Sequence, residues 1–162
     1  MKKMDSMEKA FLKIIYDYQK IIYRVCKTYR DSKEDQEDLF QEIVYQLWKS
    51  YPSFKGESKI SSWMYQIALN TAIAIYRKPK LPVDYVEKMP EQMRTGIEHQ
   101  VSENEERLFD ALRILNDTEK ALISLFLDDF TYREIAEITG ITESNTGVRL
   151  NRIKTKLKNL LK

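Results

Sequence analysis

The sequence is poor in the residues on which several protein classes depend. Cys26 and His99 are the single cysteine and the single histidine among 162 residues. One thiol cannot form a disulfide within the chain, and no cluster of thiols and imidazoles is available to bind a metal. Cys26 lies among apolar helix positions and is expected to be a reduced core or boundary residue. We therefore predict no metal and no cofactor.

Glycine and proline are also scarce, with four of each. A glycine-poor chain whose apolar residues recur with a period of 3.6 favours an all-α fold over turn-rich β structure. No apolar run is long enough to span a membrane, and the charged N-terminus does not match a signal peptide. The sequence thus predicts a soluble, cytoplasmic, all-α protein.

A strong overall charge is absent as well, since the formal net charge is only +2. The charges are segregated, however. Basic residues collect between 149 and 162, and acidic residues collect at 31–42 and again at 84–106. Segregated charge indicates that different segments bind different partners.

Helical periodicity divides the chain into two parts. Three predicted helices run from residue 5 to 29, from 33 to the residue before Pro52, and from 58 to the residue before Pro79. The pattern is lost over 79–103, where prolines and acids interrupt it, and we interpret this segment as a linker. We predict two small helical domains, 5–78 and 104–162, joined by a flexible linker.

The most informative local pattern lies near the C-terminus. Thr131 can cap a short helix with Glu134 as its capping-box partner, and Gly140 can end that helix in the left-handed conformation. Thr142 can then cap the next helix. This order of signals predicts a helix-turn-helix.

The last helix has two distinct faces. An apolar arc faces the domain and comprises Thr146, Leu150, Ile153, Leu157, Leu160 and Leu161. The outer arc carries Ser144, Val148, Asn151, Arg152 and Thr155, with Arg149 and Lys156 along one edge and Lys154 and Lys158 along the other. Polar groups flanked by cations suit a helix in the DNA major groove. The alternative is an amphipathic helix whose lysines only keep it soluble.

Three stretches of the sequence together resemble a known family. The first is Asp38-Leu-Phe-Gln-Glu-Ile-Val-Tyr-Gln-Leu-Trp48, followed by Phe54-Lys-Gly and by Ser62-Trp-Met-Tyr-Gln-Ile-Ala-Leu-Asn70. These resemble region 2 of extracytoplasmic-function sigma factors, and the helix-turn-helix resembles their region 4. The resemblance covers the chain from about Phe11 to Leu161. It implies a non-enzymatic subunit that directs RNA polymerase to promoters.

The resemblance implies roles for residues of the first domain. Family members dock the second helix on the clamp helices of the largest polymerase subunit. The outward positions expected to bind core polymerase are Asp38, Gln41, Glu42 and Tyr45. The loop at 54–61 corresponds to the specificity loop that captures a flipped base of the −10 element. The residues expected to contact −10 DNA are Lys55, Glu57, Ser58, Lys59, Ser61, Ser62, Trp63, Gln66, Asn70 and Arg77. Trp63 lies on the apolar stripe, so core packing competes with base stacking there.

In the second domain, the resemblance implies that the last helix reads the −35 element. The expected contacts are Ser144, Val148, Arg149, Asn151, Arg152, Lys154 and Lys156. Gly147 departs from the family, because a long polar or basic residue is expected at that position. The acidic linker resembles the family's connector, which passes near the polymerase active-site cleft; nucleic-acid mimicry and a plain tether both remain open.

The partners implied are core RNA polymerase, promoter DNA and an anti-sigma factor, which can hold such a protein at the inner membrane; no small-molecule substrate is implied. A stand-alone helix-turn-helix regulator is the first alternative, and it would bind DNA tightly without polymerase. A carboxylate-dependent nuclease is the second. It is disfavoured because the acids lie on predicted exposed faces or in the linker and do not converge.

Overall fold

The computed structural model describes residues 6–74 and 102–162, and both stretches are helical without strands. The helices of the first stretch are α1 Ser6–Asp17, α2 Gln19–Tyr29, α3 Lys33–Ser50, a 3-10 turn Tyr51–Ser53, and α4 Ile60–Ala74. Those of the second are α5 Glu103–Ile114, α6 Asp117–Leu127, α7 Tyr132–Thr139 and α8 Glu143–Leu160. The expectation of an all-α fold is confirmed. No helix in these two stretches is long and apolar enough to cross a membrane.

The first predicted helix is in fact two helices. Tyr18 leaves the helical conformation, with φ −113° and ψ 18°, and separates α1 from α2. Phe11 and Ile15 before the break and Ile22 after it are all buried. The apolar spacing continues through the break, so hydrophobic periodicity could not detect it.

The core of the first domain lies between α2, α3 and α4. Ile22, Leu39, Leu47 and Met64 are completely buried there. Cys26 is a free, buried cysteine on α2, as the sequence suggested. Burial raises the pKa of its thiol, because a thiolate would lose its hydration.

We therefore expect Cys26 to resist modification in the native protein. A disulfide reagent such as DTNB requires the thiolate, which burial disfavours, so the reaction should proceed only through molecules that have opened. The absorbance at 412 nm should rise promptly in 6 M guanidinium and slowly in buffer at pH 8. Equal rates in the two solutions would show that Cys26 is accessible in the folded chain.

The second domain is built from capped, short helices. Asn116 and Glu119 form a capping box at the start of α6, and Thr131 and Glu134 form another at the start of α7. Gly140 ends α7 with φ 79°, a left-handed conformation that suits glycine. Thr142 caps α8 by accepting a hydrogen bond from the Asn145 backbone N–H. The helix-turn-helix is therefore formed where the sequence placed it.

The two domains pack against each other and share one continuous hydrophobic core. The Lys27 Nζ lies 2.7 Å from Glu106 Oε1, and the Tyr29 hydroxyl donates to the Asp117 carbonyl at 2.9 Å. Arg113 donates from Nη1 to the Lys27 carbonyl at 2.8 Å. The sequence left compact and extended arrangements open, and the structure is compact.

A short loop after α6 makes a second connection between the domains. The Asp128 carboxylate accepts a hydrogen bond from the Tyr65 hydroxyl at 2.7 Å and another from Arg24 Nη1 at 2.9 Å. Phe130 lies edge-on to the Tyr65 ring, with the centroids 5.3 Å apart. Between them, Asp129 has a φ of 67°, which is uncommon for a residue with a side chain. The left-handed turn thus places both neighbours against the first domain.

Candidate nucleic-acid interface

The face of α3 that the family resemblance assigned to core polymerase is only partly exposed. Asp38 is exposed, whereas Gln41 and Tyr45 are half-buried. Glu42 is only 6% exposed, and its carboxylate accepts a hydrogen bond from Gln46 Nε2 at 3.1 Å. The expectation that Glu42 points outward is therefore wrong, because its position borders the buried apolar face of α3.

The loop between the 3-10 turn and α4 has an aromatic floor. The Phe54 and Trp63 rings stack with centroids 4.7 Å apart and planes 30° apart, and Tyr51 lies 6.3 Å from Trp63. Trp63 is half-buried, so one part of the ring packs and another part remains accessible. Gly56 turns the loop with φ 73°.

Polar side chains lie around this floor. Lys55, Glu57, Ser58, Lys59, Gln66 and Asn70 are exposed, and Ser61 and Ser62 are half-buried. Arg77 and His99 lie outside the described residues, as does most of the predicted linker. The linker's predicted end at 103 is slightly late, because Ser102 caps α5 and Glu103 is its first residue.

Lys59 connects this loop to the helix-turn-helix, which the sequence did not indicate. Its Nζ lies 2.8 Å from Glu134 Oε2, while Glu134 Oε1 accepts a hydrogen bond from the Thr131 backbone N–H at 2.9 Å. The bond from Lys59, followed by that from Thr131, lowers the pKa of Glu134 to about 2. One carboxylate therefore caps α7 and joins the two domains.

This depressed pKa makes a pH-dependent contribution to stability. A carboxylate whose pKa falls on folding stabilises the native state above its ordinary pKa of 4.5, and this contribution disappears as the pH falls towards 2. We expect Glu134→Gln, which preserves the capping pattern, to lower the urea midpoint at pH 7 and to change it little near pH 2. The effect should be modest because Lys59 is largely solvent-exposed.

Urea titrations of both proteins at several pH values provide the measurement. Glu137→Gln is the matched control, because Glu137 is an exposed carboxylate of the same helix that pairs with Arg133. A midpoint difference for Glu134→Gln that stayed constant from pH 7 to pH 2 would contradict the assignment.

The outer face of α8 is accessible to a ligand. The exposed residues are Ser144, Val148, Arg149, Asn151 and Arg152, and Val148 remains 47% exposed despite its apolar side chain. Lys156 is exposed and lies 3.3 Å from Glu119 Oε1. On the inner face, Thr146, Leu150, Ile153 and Leu157 are buried as expected, but Leu160 is 38% exposed. The prediction for Leu160 is wrong because it is the last residue of the helix.

Lys154 does not extend outward as the sequence suggested. Its Nζ lies 4.0 Å from the centre of the Phe126 ring and donates to the Tyr132 hydroxyl at 3.3 Å. The ammonium group is thus held against the second domain by a cation–π contact and a hydrogen bond. The expectation that the Lys154 ammonium group flanks the outer face of α8 is therefore wrong.

Comparisons with known proteins agree with this geometry. The family model for sigma-70 region 2 matches residues 14–80, and that for sigma-70 region 4 matches residues 105–157. The RNA polymerase sigma factor SigV of Bacillus subtilis is 31% identical, over all of this chain and 93% of SigV. The chain belongs to the extracytoplasmic-function sigma factors. The ECF RNA polymerase sigma-E factor of Haemophilus influenzae is 29% identical, over 94% of this sigma factor and 87% of its relative.

A solved structure extends the likeness to both domains. The sigma factor RpoE of Bartonella quintana, crystallised with the anti-sigma factor NepR, matches with a TM-score of 0.71 at 20% identity. The match covers 94% of this sigma factor and 97% of RpoE, so the fold is shared across both domains. Sigma factors are transcription initiation factors that bind core RNA polymerase and promoter DNA. The predicted family and its two-domain fold are therefore confirmed.

Proposed function

We propose that this sigma factor holds core RNA polymerase through α3, reads the −35 element with α8 and the −10 element with the 54–70 segment, and traps an unpaired base there. Trapping a base makes melting of the promoter favourable without any covalent chemistry. Binding of two DNA elements by two domains of one chain fixes the start of transcription relative to both.

The observation that carries this proposal is the exposed outer face of α8. Asn151 can form paired hydrogen bonds with a base edge, Val148 can contact a thymine methyl group, and Arg149 and Arg152 can bind phosphates or guanine. A helix bound in the major groove presents polar groups to the bases in front of it and cations to the phosphates on either side, as α8 does.

The loop at 54–59 supports the second part of the proposal. A pocket for an extruded base needs a flat wall for the face of the base and polar groups for its edge. Phe54 and Trp63 provide stacked aromatic rings, and Lys55, Glu57 and Ser58 provide exposed polar groups beside them.

The exposed part of α3 supports the contact with polymerase. The Asp38 carboxylate can form a charge-assisted hydrogen bond with a basic group of the clamp helices. Such pairs fix orientation and registry more than they add affinity. An anti-sigma factor is proposed as a further partner, because the RpoE relative forms such a complex. We place the protein in the cytoplasm, where polymerase and promoter DNA are found.

Abortive transcription from a library of promoter fragments tests the proposal. Core RNA polymerase is supplied with nucleotides, with and without the sigma factor, and short transcripts are counted for each fragment. We expect transcripts only with the protein present, and the enriched fragments should share two short elements at a fixed spacing. Arg152→Ala is expected to reduce transcription from fragments that depend on the upstream element.

A different result would favour a stand-alone regulator. If the protein alone bound duplex DNA tightly and specifically, and core polymerase neither bound it nor started transcription with it, the proposal would be wrong. Quantitative footprinting of the same fragments, with and without core polymerase, distinguishes the two outcomes.

A further inference from the structure

One flank of the recognition helix α8 is occupied by an aromatic side chain of α7. A Cβ atom added at Gly147 would lie 3.3 Å from Cε2 and 3.5 Å from Cδ2 of Tyr132. A side chain at 147 would therefore begin in tight contact with the Tyr132 ring, which would have to shift by a few tenths of an ångström. The Tyr132 hydroxyl accepts the hydrogen bond from Lys154, which lies about two helical turns beyond Gly147 on the same flank.

These contacts form a cluster, which we define as Phe126, Tyr132, Gly147 and Lys154. The Phe126 and Tyr132 rings lie 6.4 Å apart, and Lys154 Nζ is 4.0 Å from the first centroid and 5.8 Å from the second. The cluster joins α6, α7 and α8 on one side of the recognition helix.

The cluster also makes the two flanks of α8 unequal. Arg149, Arg152 and Lys156 lie on the opposite flank, and all three are exposed. On the cluster's flank, Gly147 has no side chain and the Lys154 ammonium is held by the domain. Lys158 remains exposed on the cluster's flank, so the two flanks differ in how their exposed cations are arranged.

We propose that Tyr132 and Gly147 are a matched pair that positions the recognition helix and so determines its base preference, and that Lys154 completes this packing instead of binding a DNA phosphate. This inference rests on the proposed function. It also accounts for the glycine at 147. Glycine weakens a helix interior, but here its missing side chain admits the tyrosine ring that fixes the helix.

The role of Lys154 is tested by the salt dependence of DNA binding. The full-length protein is titrated against a fluorescein-labelled duplex of random sequence at several salt concentrations, and the anisotropy gives the slope of log Kd against log salt. Each phosphate contact contributes about 0.9 to that slope. Arg152→Met should reduce the slope by about this amount, whereas Lys154→Met should leave it unchanged. An equal reduction in both variants would overturn the role given to Lys154.

The pairing of Tyr132 with Gly147 is tested by the base preference of the protein. This preference would not change if the two residues had only a structural role. Duplexes are selected from a randomised pool by the wild type, by Gly147→Gln and by Tyr132→Ala/Gly147→Gln, with helix content checked by circular dichroism. Gly147→Gln should displace the tyrosine ring, alter the selected sequence and bind the wild-type duplex at least about fivefold more weakly, the loss expected for one misplaced base contact. The double variant should recover most of the original preference, because glutamine can then occupy the space of the ring.

Glu137→Gln changes an exposed side chain of the same helix, α7, and serves as the control, with its base preference expected to be unchanged. An unaltered sequence preference in Gly147→Gln, or a double variant no better than Gly147→Gln, would overturn the pairing. If Gly147→Gln did not fold, the salt slopes of the two methionine variants would still decide the role of Lys154. If the wild type selected no duplex with or without core polymerase, the proposed function itself would fail, which is a separate result.

Discussion

Replacing Asp38 by alanine should weaken binding of the sigma factor to core RNA polymerase by about thirtyfold or more. Its carboxylate is an exposed acid on the outward face of α3, and removing one partner of a hydrogen-bonded charge pair at an interface costs about 2–5 kcal/mol. The dissociation constant is measured with a fluorescently labelled sigma factor titrated with core polymerase. Transcription from the enriched fragments should fall at limiting protein concentration and recover at excess.

Two variants make this result specific. Glu103→Ala removes an exposed carboxylate from the second domain and should leave the dissociation constant unchanged. Glu42→Ala should act differently from Asp38→Ala, because the Glu42 side chain is buried and hydrogen-bonded to Gln46; we expect a loss of stability there. If Asp38→Ala bound core polymerase as tightly as the wild type, α3 would not be the contact proposed.

Asp128→Ala should lower the free energy of unfolding by about 2 kcal/mol. Its carboxylate accepts the hydrogen bond of the buried Tyr65 hydroxyl, and leaving such a donor without a partner costs about 1–3 kcal/mol. Burial, reinforced by the Asp128 hydrogen bond, raises the Tyr65 pKa, so the phenol remains protonated and continues to donate at pH 8. The lost ion pair with Arg24 adds less, because Arg24 is partly exposed.

Urea denaturation followed by circular dichroism measures this change. Asp129→Asn is the control, because it removes a carboxylate one residue away and asparagine tolerates the left-handed conformation; we expect less than about 0.5 kcal/mol. In the Asp128→Ala background, Tyr65→Phe should cost less than it does alone, since the unpaired hydroxyl is removed. Additive effects of the two substitutions would mean that the hydrogen bond is not formed in solution.

Local signals allowed much of the second domain to be predicted. Capping boxes and the glycine that ends α7 act over three or four residues, so the sequence places them directly. The break at Tyr18 was missed because the buried residues keep a helical spacing across it. The burial of Glu42 was missed for a related reason, because a position at the edge of an apolar face can be buried or exposed depending on its neighbours.

Contacts between distant residues could not be read from either domain alone. Lys59 and Glu134 are far apart in the sequence. Each is explained by its own surroundings in the sequence, Lys59 as an exposed loop residue and Glu134 as a capping residue, so nothing indicates that they form a pair. Lys154 similarly fits the basic edge of a helical wheel until the positions of Phe126 and Tyr132 are known. Such long-range choices depend on how the helices pack, which their periodicity does not specify.

Because the two domains share a core, a partner that binds only the separated domains must supply the free energy needed to separate them. Separating the domains would expose buried apolar side chains at their contact, such as Phe109, and would break the Lys27 ion pair with Glu106. A partner that binds only separated domains therefore has its apparent affinity reduced by the fraction of molecules already open. A substitution that weakens the contact, such as Asp128→Ala, would strengthen that partner's binding without touching it.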